Sequence, residues 1–350
     1  MKIAQVSPLY ESVPPQKYGG TERVVSYLTE ALVSMGHEVT LYATGDSITK
    51  AKLVSVCPSA LRLDNACRDP YVHHIRMLEY VQRDMGQFDI VHFHIDYLHF
   101  PLSRRQPVPS LSTLHGRLDI PDLAPLYCEF HDIPVVSISN AQRLPLPWIN
   151  WQATIYHGLP VDLYEFHERP RNYLAFLGRI SPEKRVDRAI EISRRAGIEL
   201  KIAAKVDSVD REYFREEISP LLKHPLVEFI GEISESDKGD FLGNAQALLF
   251  PIDWPEPFGL AMIEALACGT PVIAYRGGSV PEIVEQAVTG FVVNDTDEAV
   301  DALKRIDAVS RRRCREEFER RFTSARMASD YVKVYENLVR RWNLTDRSAA

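Results

Sequence analysis

Short apolar runs alternate with stretches of helical period along almost the whole chain. Lys2–Val6 reads as a strand, a Pro- and Gly-containing loop runs to Gly20, and Thr21–Met35 reads as a helix closed by Gly36. Glu38–Ala43 reads as the next strand, and Asp89–Phe93, Ser110–Leu114 and Pro134–Ile138 are further short apolar runs. A second series starts at Asn172–Leu177 and continues with Glu199–Ala204, Leu226–Ile230, Ala247–Phe250, Pro271–Tyr275 and Phe291–Val293. Helical stretches over Arg185–Ala196, Lys238–Asn244 and Leu260–Cys268 lie between these runs. Strand–helix–strand repeated in this way predicts parallel sheets with helices on both faces. Two series predict two α/β, doubly wound domains, with ligands at the carboxyl ends of the strands and in the cleft between the domains. The tail reads as two helices, Glu298–Phe322 and Ser324–Trp342, the second with the clearer apolar stripe.

A length of 350 residues suits two domains, with a boundary expected near Tyr164–Arg171. The 41 basic and 48 acidic residues leave a net charge of −7. Up to Phe166 there are 13 basic and 17 acidic residues, and from there 28 and 31, so neither part is a basic domain. That argues against bulk nucleic-acid binding, which needs a positive footprint. Five scattered cysteines without a C-x-x-C pair read as reduced thiols, not as disulfides or a zinc site. The start, Met1-Lys2-Ile3, is too short and polar for a signal peptide, and no apolar run approaches a membrane span. The expectation is a cytoplasmic protein. The run Lys304–Arg326 carries nine basic and four acidic residues. It suits a weak, peripheral membrane-surface contact, or, more blandly, a solvated helix face paired with Glu316, Glu317 and Glu319.

The candidate chemistry clusters after predicted strands. In Trp254-Pro-Glu-Pro-Phe-Gly-Leu, Glu256 follows the run Ala247–Phe250, and Gly259 opens a helix that carries Glu264. The free N–H groups over Phe258–Ala261, including those of Gly259 and Leu260, make an anion site with the helix dipole, and the carboxylates suit sugar or ribose hydroxyls. Arg179 and Lys184, in Gly178-Arg-Ile-Ser-Pro-Glu-Lys184, can reach a diphosphate. Gly19 and Gly20 let backbone approach a ligand closely, but they do not form a G-x-G-x-x-G fingerprint, which removes a dehydrogenase from consideration. His115 ends a strand and is followed by Gly116. His92 and His94 share a strand face, but two nitrogen ligands are too few for a metal, so His94 and Asp96 read as polar groups lining the cleft.

Taken in order, Gly19-Gly20, His115, Gly178-Arg179 with Lys184, and Glu256-Pro-Phe-Gly-Leu with Glu264 resemble retaining glycosyltransferase family 4, of GT-B fold. Tyr156-His157-Gly158, Phe229-Ile230-Gly231 and Ala267-Cys268-Gly269-Thr270-Pro271 add to the likeness, and Tyr18–Val25 is similar to the avilamycin-type sugar transferases. The resemblance implies two Rossmann-like domains, 1–165 on the acceptor side and 166–324 for the donor, with a helix at about 325–350 packing back on the first. It implies that Arg179 and Lys184 hold a donor diphosphate, that Gly259 and Leu260 donate backbone N–H to it, and that Glu256 contacts the donor sugar. It assigns Glu264 to the ribose, Gly231 and Ile233 to the base, Gly19 and Gly20 to the distal phosphate, and His115 to the transferred sugar. Tyr156-His157-Gly158 stands where the family more often has Pro-Asn-Gly, so no role passes to His157. The expected activity is retaining, cofactor- and metal-independent transfer of a hexose from a nucleotide sugar, UDP-hexose foremost, to a sugar, glycan or small-molecule acceptor. Tyr10–Tyr18, Cys57–Pro70 and Asp96–Arg105 are the loops expected to shape the acceptor pocket. The rivals are a phosphorylase-like enzyme of the same fold and a silent nucleotide-sugar-binding partner protein.

Overall fold

The computed structural model describes residues 1–16 and 18–349, with side chains as far as Leu344. The chain divides into two units, Met1–Pro160 with Ser324 onward, and Val161–Thr323. The first unit is built on seven strands: β1 (Lys2–Val6), β2 (Glu38–Ala43), β3 (Lys52–Ser55), β4 (Ile90–Phe93), β5 (Ser110–Thr113), β6 (Val135–Ser137) and β7 (Trp151–Thr154). They lie in the order β3-β2-β1-β4-β5-β6-β7, with every pairing parallel. The second unit repeats the plan with β8 (Tyr173–Arg179), β9 (Glu199–Lys205), β10 (Val227–Gly231), β11 (Ala247–Phe250), β12 (Val272–Tyr275) and β13 (Gly290–Val293). Their order is β10-β9-β8-β11-β12-β13, again all parallel. The strand order reverses between β1 and β4 and between β8 and β11, and in open α/β sheets ligands bind at the carboxyl ends beside such a switch point.

The central strands are buried on both faces, which is why they read as continuous apolar runs. In the first unit, Val6, Val91 and Phe93 pack with Met77, Leu78 and Val81. Those three come from the helix Pro70–Asp84, which no expectation above includes. Its signals are present: Asp69 caps it by accepting from the Tyr71 N–H, and Pro70 occupies the first turn. The short strands β3 and β7 were also not expected. Each has four residues, and none of them is fully buried.

The stretch read as one helix over Glu298–Phe322 is broken into Thr296–Leu303, a turn at Ile306–Ala308, and Arg311–Arg321. The break is capped: the Ser310 side chain accepts from the Arg313 N–H and starts the last piece. The final helix, Ser324–Ala349, belongs to the first unit and packs on the helix Gly20–Ser34. Tyr335 on it bonds to Gln5 of β1, and Tyr331 to Thr113 of β5.

The basic run has a structural use that its composition does not show. Arg311 donates to the carbonyls of His167, Ala245 and Gly243 and to the Thr270 hydroxyl. Arg315 donates to the carbonyls of Val161, Tyr164 and Ala267. Arg326 reaches the carbonyls of Tyr156 and His157, and Arg321 that of Glu282. Arg315 thereby ties Val161–Tyr164 to the second unit, which places the division at Pro160/Val161, ahead of the 165/166 boundary expected from sequence. A side chain that satisfies three backbone acceptors leaves them unpaired when removed. Arg315→Met should therefore cost the second unit about 1–3 kcal/mol, read as a lowered midpoint in urea; an unchanged midpoint would show that water replaces the guanidinium without loss.

Candidate functional site

In the second unit the residues after β8 and β11 meet. Arg179 is the last residue of β8, and the chain then turns through Ile180–Lys184 into the helix Val186–Ala196. The turn is pinned: the Lys184 N–H bonds to Ser181 O at 3.1 Å, and the Asp253 N–H, from the loop after β11, bonds to Glu183 O at 2.8 Å. Arg185 closes the turn in the left-handed region (φ 52°), and its guanidinium bonds Asp187 and Asp253. A non-glycine residue in that conformation persists only where its surroundings fix it.

This pinning delivers Lys184 to Glu256. Their side chains form a short, mostly buried ion pair, and the same Glu256 oxygen accepts from Trp254 Nε1 at 2.9 Å. The Lys184 ammonium also lies 5.0 Å from the Trp254 ring centroid and 5.4 Å from that of Phe250. Glu256 is clamped from behind. Its carbonyl accepts from the Ser279 N–H at 2.9 Å, and the Ser279 hydroxyl donates to Phe258 O at 2.8 Å. Gly278 makes that approach feasible, because a Cβ there would run into the Glu256 backbone. Gly259, at φ 81°, then turns the chain into the helix Leu260–Ala267, whose first N–H groups lack intrahelical partners.

Glu264 lies further along that helix, buried, and accepts from Lys238 Nζ at 2.8 Å. Lys238 pairs with Glu235 as well. Arg179 faces three carboxylates, with Glu183 at 3.3 Å and Asp207 and Asp210 at 3.6 Å. Gly231 ends β10 at φ 85°, and Ile233 follows it partly exposed.

In the first unit, Gly19 is buried against Pro15 and Glu11 and precedes the helix that starts at Gly20, which is exposed. His115 follows β5. Its ring stacks on that of His157 at 5.3 Å, and its Nε2 lies 2.9 Å from Nδ1 of His94. His92 and His94 are buried and engaged with protein partners through both ring nitrogens. His94 therefore packs within the sheet layer and does not line an opening as expected, whereas Asp96 is exposed.

A sequence model of Glycosyltransferase Family 4 matches residues 18–196, and one of Glycosyl transferases group 1 matches residues 165–325. The chain belongs to glycosyltransferase family 4. The transferase is 24% identical to the phosphatidyl-myo-inositol mannosyltransferase of Mycobacterium leprae, over 97% of each chain. Other curated relatives match over shorter stretches, and for several the chain spans about half their length or less. Among solved structures, AviGT4, a glycosyltransferase involved in avilamycin A biosynthesis, is similar at TM-score 0.74 and 26% identity, over 97% of this chain and 98% of that one. HepE of Anabaena, in complex with UDP-glucose, has TM-score 0.73 at 16% identity, over 97% of this chain and all of that one. The family's GT-B fold, two Rossmann-like domains, is the one observed.

The transferase's partner residues carry little signal in the sequence. Trp254, Asp253, Lys238 and Ser279 each support a carboxylate or a turn named above, yet none stands out by spacing. Gly278 was not singled out either, and only the structure shows that its missing side chain leaves room for the Glu256 backbone.

One electrostatic feature separates the two units. His74, His92, His94, His99, His115 and His157 all belong to the first unit, and burial pushes the pKa of each down. Unfolded, each regains a value near ~6.5. Below that pH the unfolded state binds more protons, so stability present above ~6.5 is lost as the pH falls. Glu22 and Asp96, whose pKa values desolvation raises, Asp96 to about 6, oppose this in part as the pH falls through their folded values, and six histidines outnumber them. Hydrogen exchange at pH 7.5 and 5.5, corrected for the intrinsic rate, should show the first unit losing protection before the second; an equal loss in both would remove the histidines as the cause.

Proposed function

We propose that the transferase moves a hexose, with retention of configuration and without a metal ion, from a nucleotide-diphosphate sugar to an acceptor hydroxyl on a sugar, lipid-linked glycan or small molecule. UDP-hexose is the leading donor, and the complex of HepE, of the same fold, with UDP-glucose is the kind of pairing this reading expects. The observation that carries the proposal is the Lys184–Glu256 pair beside the Gly259 turn. It puts a cation, free backbone donors and a sugar-binding carboxylate within one loop cluster.

The chemistry follows from charge. A nucleotide diphosphate leaves as an anion, and donors fixed in advance stabilise it without reorganising. An ammonium has three donors. Glu256 takes one from Lys184, leaving others for phosphate oxygens, while Arg179 and the N–H groups at Gly259 and Leu260 complete the cradle. Cationic side chains in these places do the work that a divalent ion would otherwise do. Glu256 is already committed to Lys184 and Trp254, which suits a carboxylate that grips hydroxyls better than one that attacks carbon. The acceptor hydroxyl then attacks from the face the diphosphate leaves, a phosphate oxygen takes its proton, and the anomeric configuration is kept. Glu264, held by Lys238, offers its second oxygen to the ribose, and Gly231 and Ile233 border the base. Gly19 and Gly20 approach the distal phosphate, and His115 the transferred sugar. The basic run Lys304–Arg326 adds little to a membrane contact, because Arg311, Arg315, Arg321 and Arg326 are spent on backbone carbonyls.

A thermal-shift panel of UDP-, GDP-, ADP- and TDP-sugars finds the donor, since ligand at about 100 times its Kd stabilises by about 2.7 kcal/mol. With that donor, Lys184→Ala should lower kcat by about 10²–10³ in a hydrolysis or transfer assay, its melting temperature serving as a folding control; wild-type turnover would remove Lys184 from the diphosphate site. Turnover should survive EDTA, and NMR of the product should show the donor's anomeric configuration. Activity restored only by a divalent ion, or an inverted product, would overturn the corresponding part of the reading.

A further inference from the structure

His115 ends a buried run of hydrogen bonds that crosses the first unit. From His115 Nε2 it passes to His94 Nδ1 at 2.9 Å, and from His94 Nε2 to Gln5 Oε1 at 2.8 Å. Gln5 Nε2 donates to the Tyr335 hydroxyl at 3.1 Å, and that hydroxyl lies 2.7 Å from His92 Nδ1. His92 Nε2 reaches Thr113 Oγ1 at 2.7 Å, and Tyr331 OH lies 2.8 Å beyond. Gln5, His92, His94, Thr113, Tyr331 and Tyr335 are all buried. β1, β4, β5 and the final helix each supply members, with Gln5 directly opposite His92 in the β1–β4 pairing.

Burial holds His92 and His94 neutral by lowering their pKa values well below the usual range. A neutral imidazole has one donor and one acceptor nitrogen, so one fixed member sets the whole run. With Oε1 of Gln5 turned toward His94, the amide can only accept there, so His94 carries its proton on Nε2. His94 Nδ1 is then an acceptor, and the proton between the two rings sits on His115 Nε2. On the other side, the Gln5 amide donates to Tyr335, Tyr335 donates to His92 Nδ1, and His92 Nε2–H donates to Thr113. Turning the Gln5 amide over would reverse these donors and move the His115 proton to Nδ1. The two orders cannot mix without leaving a buried group unpaired. His115 Nδ1 itself has no partner among the described residues and is not enclosed.

We propose that Gln5 and His94 are positioning residues that hold His115 as the neutral Nε2–H tautomer, so that the nitrogen it offers a ligand, Nδ1, is a hydrogen-bond acceptor. The proposal rests on the reading of His115 as a neighbour of the transferred sugar. It deepens that reading by fixing the sense of the contact: a sugar hydroxyl donates to His115, and a sugar carrying fluorine or hydrogen in place of that hydroxyl loses it.

The test is side-chain NMR of the full chain labelled with ¹⁵N-histidine, without ligand, with the His115 signals assigned by their loss in His115→Asn. A pyridine-like Nδ1 and a pyrrole-like Nε2 are expected; the opposite assignment overturns the proposal. Gln5→Leu removes the acceptor and should turn His115 into a mixture of tautomers, with kcat/KM for the donor found by thermal shift falling about tenfold and UDP binding unchanged. Tyr335→Phe cuts the run beyond Gln5, whose amide keeps His92 Nδ1 within 3.5 Å, and should leave the His115 tautomer as it was. If Tyr335→Phe disturbs the tautomer as much as Gln5→Leu, Gln5 acts only through packing and the proposal falls. If His115→Ala turns over the donor at the wild-type rate while the wild-type tautomer is as expected, the placement of His115 beside the sugar fails and the proton order stands.

Discussion

A wholly parallel sheet sends the carboxyl end of every strand to the same edge, and the rest of the transferase depends on that constraint. Each return from one strand to the next needs a crossover, so the loops that leave the strands gather on one side. At the two places where the strand order reverses, neighbouring loops diverge and leave room. Glu256 and Gly259 follow β11, and Arg179 and Lys184 close and follow β8, its neighbour across the second reversal. Gly19 and Gly20 follow β1 at the first. The chemistry therefore needs no conformational feat beyond short turns held in place, with Arg185, Gly259 and Gly278 in left-handed backbone there.

Helix ends and the segments that enter the strands expose backbone acceptors that no ladder satisfies. The molecule meets this with guanidinium groups. Arg311 and Arg315 each collect carbonyls from separate segments, and Arg326 binds two consecutive ones, a task suited to a planar group with five donors and poorly suited to lysine. A dense basic run in an acidic protein is thus partly internal scaffolding. Its charge count suggested a surface for anions, and its geometry shows much of it already occupied.

What the sequence disclosed follows from which physical signal each feature leaves. Strands such as β4, β11 and β12 are buried on both faces and leave an unbroken apolar run, so they were found within a residue or two. β3 and β7 are only partly buried and leave none. The tail helix was read through the break at Ser310 because the apolar stripe continues across it, while the cap that breaks it is a single serine. Glu256, Glu264, Arg179 and Lys184 were legible as a family motif. Their supports were not: Lys238 and Asp253 act between segments well apart in the chain, which periodicity cannot register, and the bond from Trp254 to Glu256 two residues on depends on a loop conformation that leaves no period. His92 and His94 were correctly placed on one strand face, but the groups that complete their surroundings, Gln5, Tyr331 and Tyr335, come from the two ends of the chain.

The two units solve one problem in opposite ways. A ligand-binding group has to be held in a defined state before the ligand arrives. In the second unit that state is ionic: Lys184 with Glu256 and Lys238 with Glu264 each keep a buried charge compensated, which fixes both partners where a lone charge would be driven to neutrality. In the first unit the state is neutral, and what must be fixed is the position of a proton. Charge cannot specify that. A run of hydrogen bonds through neutral imidazoles can, because each ring has one donor and one acceptor nitrogen and so leaves its neighbour one choice. The carbonyl of one glutamine on β1, by being unable to donate, then decides what a histidine after β5 presents.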